Sequence, residues 1–204
     1  MDKQLHWNTI YSQKSEDDLS WHQDDPSISL ELMKGAGLTP QSSVIDIGAG
    51  TSRVVDRLLA FGLRDITALD LSRSALVKAQ GRLGERGEIV RWIAADVTRW
   101  ETSRTFDFWH DRAVFHFLVD PVDRESYLKR LSRSLGTEGH AVIATFALDG
   151  PEKCSGLDVR RYSPESLSDE LGSSFDLVTH RFHIHHTPWG RPQSFQYSLF
   201  RKQE

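Results

Sequence analysis

The chain has 204 residues, 38% hydrophobic and 26% charged, with a formal net charge of −4 at neutral pH and a single cysteine, Cys154. Such a composition suits a soluble globular protein of one domain with a sizeable core, and excludes an intrinsically disordered chain. The negative balance argues against partners gripped mainly through phosphates, so no nucleic acid is expected, and no apolar run approaches the roughly 20 residues of a membrane helix.

Residues 1–25 are polar and aromatic, without the cationic and apolar regions of a signal peptide. They read as an N-terminal flap ahead of one main domain over residues 26–204. One cysteine forbids an internal disulfide, which agrees with a reducing cytoplasm, and a monomer is expected. Strands are predicted at SSVIDI (42–47), DITALD (65–70), EIVRWIAAD (88–96), TFDFWHD (105–111) and HAVIATFA (140–147), all rich in β-branched and aromatic residues. Helical stretches lie between them at 51–61, 72–83 and 121–135; in the last, Tyr127, Leu128, Leu131 and Leu135 form one stripe. After a helix start at Ser163, Pro164 and Glu165, two longer strands joined by PWGRP should pair as a hairpin. Alternating strands and helices imply an α/β fold: a single-domain, Rossmann-like, seven-stranded and mostly parallel sheet closed by a C-terminal antiparallel hairpin. Ligands of such sheets sit beyond the carboxyl ends of the strands.

The first strand ends in VIDIGAGTS (44–52), an acid followed by Gly48 and Gly50. Glycines there let backbone approach a ligand at a helix N-terminus. A phosphate loop would need a Gly-Lys-Ser/Thr sequence, which is missing. A dinucleotide fingerprint would need its third glycine at position 53, which is Arg53. S-adenosylmethionine (SAM) needs only a small residue such as Ser52, and a turn with glycines for steric reasons alone is the bland alternative. Asp70 then ends the second strand about 20 residues on, where an acid bridges ribose hydroxyls, and Asp96 ends the third, where an acid accepts from an adenine amino group. Either acid alone reads as a helix cap; together with the glycines they describe a nucleoside pocket.

VIDIGAGTS, ITALDLS, IAADVT, FDFWHDRAVFHFL and LGTEGHAVIATFA resemble, in order, the motifs of class I SAM-dependent methyltransferases over roughly residues 40 to 150. Ser52 stands where that family usually has a third glycine. The resemblance implies SAM as cofactor and S-adenosylhomocysteine (SAH) as product, with Asp46, Gly48 and Gly50 on the methionine side. Asp70 and Leu71 would serve the ribose, and Asp96 and Val97 the adenine. The aromatic N-terminus is also similar to that of small protein-lysine methyltransferases, although those tend to carry an acid and then a lysine where this chain has His110 and Asp111.

Methyl transfer is an in-line displacement served by alignment and exclusion of water, and by a base for some acceptors. His110 at the end of the fourth strand is the candidate base, with a structural, hydrogen-bonded histidine as the alternative. Asp111 is expected to point away from it and to cap a helix over 112–118, with catalysis its second role. Tyr11 and Trp21 are candidates for a roof over the pocket, or for plain packing. Arg160 and Tyr162, in the long loop after the fifth strand, are candidates for contact with an anionic substrate group, or for surface. In HRFHIHH, alternation puts His183 and His185 on one face and His186 on the other, and with no second cysteine or patterned acid no metal site is expected. The function expected is methyl transfer to a small-molecule acceptor, with a protein-lysine methyltransferase and a non-catalytic SAM-binding protein as alternatives.

Overall fold

The computed structural model describes residues 2–203. Helix α1 (Lys3–Gln13), capped by Asp2, leads through a 3-10 turn at Glu16–Asp18 to α2 (Ser27–Gly35). Then β1 (Ser43–Ile47), α3 (Val54–Phe61), β2 (Asp65–Asp70), α4 (Arg73–Leu83) and β3 (Arg91–Ala94) alternate, with β4 (Phe106–Arg112), α5 (Pro121–Ser134) and β5 (Leu135–Phe146) completing the parallel part. A two-residue hairpin, β6 (Lys153–Cys154) with β7 (Leu157–Asp158), interrupts the loop before α6 (Pro164–Leu171). The antiparallel pair β8 (Phe175–His186) and β9 (Pro192–Lys202) ends the chain.

The seven-stranded sheet runs β3-β2-β1-β4-β5-β9-β8, with β9 alone running against the other six strands. Side-chain alternation divides the core between its two faces. Val44, Ile66, Phe108 and Val142 pack with Leu32, Val55, Leu58 and Leu76 from α2, α3 and α4. Ile45, Trp109, Ala141 and Ile143 pack with Tyr127, Leu131, Leu167 and Leu171 from α5 and α6. The strand order reverses at β1–β4, which opens a crevice at their carboxyl ends.

Local chemistry explains most boundaries. Asp120 caps α5 ahead of Pro121, and Ser163 and Ser166 form a reciprocal capping box ahead of α6. Three expectations change. No helix spans 112–118: β4 continues through Arg112, Ala113 turns at φ 72°, and only Phe115–Phe117 forms a 3-10 turn. β3 is shorter than predicted, because Gly84–Ile89 winds into a 3-10 turn, and β5 starts five residues earlier, directly off α5. Helix α2 has no counterpart among the predicted elements, although it buries Ser29, Leu32 and Met33.

Candidate active site

The loop after β1 is shaped by close approach. Gly48 (φ 63°) and Gly50 (φ 49°) lie in the left-handed region, and a Cβ at either would collide, with Val114 Cγ2 and with the Tyr11 hydroxyl respectively. Ser52 fills the third glycine's place by accepting from Val54 N (3.0 Å), which starts α3. Asp70 ends β2 buried: its Oδ2 accepts from Gly50 N (2.9 Å) and its Oδ1 from Ser72 N (2.6 Å). Burial pushes its carboxyl up to about 6 against those two hydrogen bonds. Asp96 Oδ1 accepts from the Thr98 amide and hydroxyl at 2.9 and 2.7 Å.

Two adjoining cavities open over these strand ends. The larger encloses about 880 Å³ open to solvent, lined on one side by Asp70, Leu71, Asp96, Val97 and Thr98 and on the other by Trp7, Trp21 and Phe117. The smaller, about 480 Å³, is lined by Asp46, the glycine loop, His22 and His110. Tyr11, Trp21, Gly48 and Arg112 line both.

The roof comes from the N-terminal segment. Trp7 meets Trp21 edge-on with centroids 5.6 Å apart and Phe117 at 5.2 Å, while Tyr11 meets Trp21 at 6.0 Å. Polar clasps hold it down. Asn8 Oδ1 accepts from Ser72 Oγ (2.9 Å), and Glu16 is gripped by Arg82 (2.8 Å) and Arg53 (3.2 Å). Arg82 also donates to the Thr51 and Ser52 carbonyls, so the clasp and the glycine loop share one guanidinium.

The register that sets Asp46 opposite His110 puts both on one face. His110 Nδ1 donates to Asp46 Oδ1 (2.6 Å), and Ser29 Oγ, 2.8 Å from Nε2, completes the ring. Asp46 Oδ2 is buried with no protein partner. On the opposite face Asp111 Oδ1 accepts from Val114 N (2.9 Å), while its Oδ2 accepts from the Tyr127 hydroxyl (2.6 Å) and Phe115 N (3.1 Å).

Residues 44–139 match the family of methyltransferase domains. The N-methyltransferase NodS from Bradyrhizobium japonicum, solved with SAH, superposes with a TM-score of 0.76 at 17% identity over 98% of this chain and 100% of that one. Residues 44–139 therefore carry a methyltransferase domain, and the fold is the Rossmann-like one of class I SAM-dependent methyltransferases. The 1,6-didemethyltoxoflavin-N1-methyltransferase of Burkholderia thailandensis shares the fold with a TM-score of 0.70 at 23% identity, over 95% and 81% of the chains. In sequence, the human N-terminal Xaa-Pro-Lys N-methyltransferase 1 is 38% identical over 60 residues, which is 29% of this chain and 27% of that protein. The match thus spans about a quarter of that relative's length.

The pocket suits SAM by three features: the glycine cradle, the free Asp46 oxygen, and the two acids at the ends of β2 and β3. The structure brings Asp46, Gly48, Asp70, Leu71, Asp96 and Val97 to the cavity walls, with Gly50 held behind them by Asp70 and Tyr11. Tyr11 and Trp21 are there too. Other candidates are elsewhere. Asp111 is wholly buried, lines neither cavity and spends its oxygens on the turn and Tyr127; it is a cap and a strut. His110 reaches the smaller cavity, but both ring nitrogens are engaged and the side chain is 1% exposed, so it offers no free nitrogen to an acceptor. Tyr162 packs in the core against Phe115, and Arg160 pairs with Glu170 (3.0 Å), so neither reaches the pocket. His183 and His185 share the inward side of β8 with His186 outside, and His185 Nε2 donates to the Ser20 carbonyl (2.8 Å). Among the described residues no group of three metal-ligating side chains gathers, and no helix is long and apolar enough to cross a membrane.

Sequence reading missed Arg112, which lines both cavities, and Ser29, the second partner of His110. Arg112 follows the expected base by two residues on the same strand face, a period-two signal that was available. Ser29 lay in a helix that had no sequence signal strong enough to mark it.

Proposed function

We propose that the enzyme transfers the methyl group of SAM to a small molecule seated under the aromatic roof, and that residues 1–25 act as the flap closing over it. When bound, SAM supplies a sulfonium-activated methyl group. Asp46 Oδ2 is the free acceptor for the ammonium of the methionine end, and Gly48 and Gly50 give that end room beside the backbone. Asp70, aimed by Gly50 and Ser72, takes the ribose hydroxyls next to Leu71; Asp96 takes the adenine amino group beside Val97. With both nitrogens of His110 engaged, the reading asks no base of it: the chain works by holding two reactants in line and dry, and the acceptor offers a lone pair that is already available.

The observation that carries the small-molecule reading is the roof: Trp7, Tyr11 and Trp21 are clasped across the cavity by Glu16 and Asn8, so an occupant must fit beneath them. The Burkholderia thailandensis structure, solved with bound 1,6-didemethyltoxoflavin, supports the same scale of substrate. The matched segment of the human enzyme favours a second reading, a protein amine as acceptor. Incubation of the full chain, and of a chain lacking residues 1–24, with methyl-labelled SAM and a fractionated cell extract decides between them. Label is expected in the metabolite fraction, with the truncated chain far less active than its melting temperature would explain. Label confined to protein would overturn the small-molecule reading, and full activity of the truncated chain would overturn the flap.

A further inference from the structure

Arg112 leaves β4 at the wall shared by both cavities, and among the described residues no carboxylate pairs with it. Its Nε donates to the Tyr197 hydroxyl (3.0 Å) and its Nη1 to the Trp21 carbonyl (2.9 Å), while the guanidinium carbon lies 4.7 Å from the centre of the Phe195 ring. Its Nη2 is buried with no acceptor. Arg53, Arg82, Arg104, Arg124 and Arg160 each stand within 3.2 Å of a carboxylate, but no such pair forms at Arg112 among the described residues. The titratable groups that register its charge are His116, His183, His185 and Cys154. Burial lowers the imidazoles, His116 to about 3 and His185 to about 4, with Arg112 adding to the effect, and burial raises the Cys154 thiol to about 11. No carboxylate among the described residues comes within hydrogen-bonding distance of the guanidinium; its polar partners are the neutral Tyr197 hydroxyl and Trp21 carbonyl.

A partly buried guanidinium held by neutral oxygens on two sides, with its Nη2 amino group left over, is costly unless a ligand completes it. We propose that Arg112 is an anion-binding residue of the pocket and that its missing partner is a carboxylate. Two sources present that chemistry: the amino-acid end of SAM, in the smaller cavity, and an aromatic acceptor carrying a carboxylate, lying against Trp7, Trp21 and Phe117 in the larger one. In either case the planar fork of an arginine suits the two oxygens, whereas a lysine would meet them with a single point of charge. The inference rests on the SAM-binding reading of these cavities.

Calorimetry on the full chain, its Arg112→Gln variant and its Arg112→Lys variant tests it. The probes are SAH, methylthioadenosine (which lacks the amino-acid end) and, on SAH-loaded protein, benzoate and indole-3-acetate beside their uncharged amides. If the donor supplies the carboxylate, Arg112→Gln weakens SAH about tenfold or more, leaves methylthioadenosine unchanged, and Arg112→Lys restores part of the loss. If the acceptor supplies it, SAH is unaffected, at least one aromatic carboxylate binds the parent about tenfold more tightly than its amide, and Arg112→Gln removes that preference. The proposal is overturned if SAH and methylthioadenosine weaken together or not at all and no carboxylate is preferred to its amide. A parent that binds neither SAH nor methylthioadenosine sinks the cofactor reading itself. Melting temperatures of the variants show whether a shared loss is one of folding.

Discussion

His110 and Asp111 are neighbours on β4, and each heads a buried polar network on its own face of the sheet. The Asp111 network is closed. Every oxygen has a partner, the Tyr127 hydroxyl that donates to Asp111 accepts in turn from Trp109 Nε1 (2.8 Å), and none of Asp111, Tyr127 and Trp109 lines a cavity. The Asp46–His110–Ser29 network is built of similar parts, yet Asp46 Oδ2 is left without a partner at a cavity wall. Satisfaction separates the two: a network with nothing left over supports the fold, and one with a free acceptor is also addressed to a ligand.

Removing one acid from each network should therefore produce opposite signatures. Asp111→Ala leaves the Tyr127 hydroxyl and two backbone N–H groups without acceptors. We expect unfolding free energy to fall by about 3 kcal/mol or more, with the SAH affinity of the folded protein within about twofold of the parent. Asp46→Asn keeps an oxygen for His110 but loses the negative charge, so stability should change less while SAH affinity drops about tenfold or more. Denaturant titration and calorimetry on the same preparations make the comparison. If Asp46→Asn behaved like Asp111→Ala, the free oxygen would have no functional meaning.

Acid sharpens the contrast further, because Asp70 and Asp111 are both pushed up to about 6 by burial but only Asp70 faces the pocket. A carboxyl raised in the fold keeps a proton that the unfolded chain releases between about pH 4 and 6. Each therefore contributes less stability as pH rises through that window, and neither contributes a slope above it. Ribose hydroxyls donate best to the charged form, so SAH affinity should be flat above about pH 6 and decline below it, by up to tenfold per pH unit. Asp70→Asn should bind more weakly and without that slope, and Asp111→Asn should keep it. A wild-type affinity constant from pH 7 to 5 would remove Asp70 from the ribose site.

The half of the candidate pocket on β1, β2 and β3 could be located from sequence because its residues sit at strand ends, within a few positions of the glycines or acids that announce them. Asp46, Gly48, Asp70, Asp96 and their neighbours needed only a correct reading of where each strand stops. The half around β4 was not, because its meaning lies in contacts far apart in sequence. Strand register places Asp46 against His110, α2 supplies Ser29, and β9 supplies Tyr197 to hold Arg112. No local pattern tells a histidine with both nitrogens engaged from one with a nitrogen to spare. Tyr162 and Arg160 failed for the same reason, since Phe115 and Glu170, the partners that occupy them, come from other elements.

The smallest effect expected is the one that decides the role of His110. A general base contributes roughly 10²–10⁴ to turnover, and its loss is relieved as pH rises because the acceptor then ionises unaided. Here Nδ1 is committed to Asp46 at 2.6 Å and Nε2 to Ser29 at 2.8 Å, so the imidazole would have to break a buried hydrogen bond before accepting a proton from an acceptor. His110→Asn preserves a donor to Asp46 in place of Nδ1 and gives up only the Ser29 contact, which should cost about 1 kcal/mol of stability. Turnover in the labelled-SAM assay is expected to stay within about tenfold of the parent, with the same pH profile. The remaining deficit should follow any loss of SAH affinity, since the histidine acts on the cofactor only through Asp46. A loss of 10² or more that shrinks with rising pH, at unchanged SAH affinity, would restore His110 as the base and require the Ser29 contact to open during the reaction.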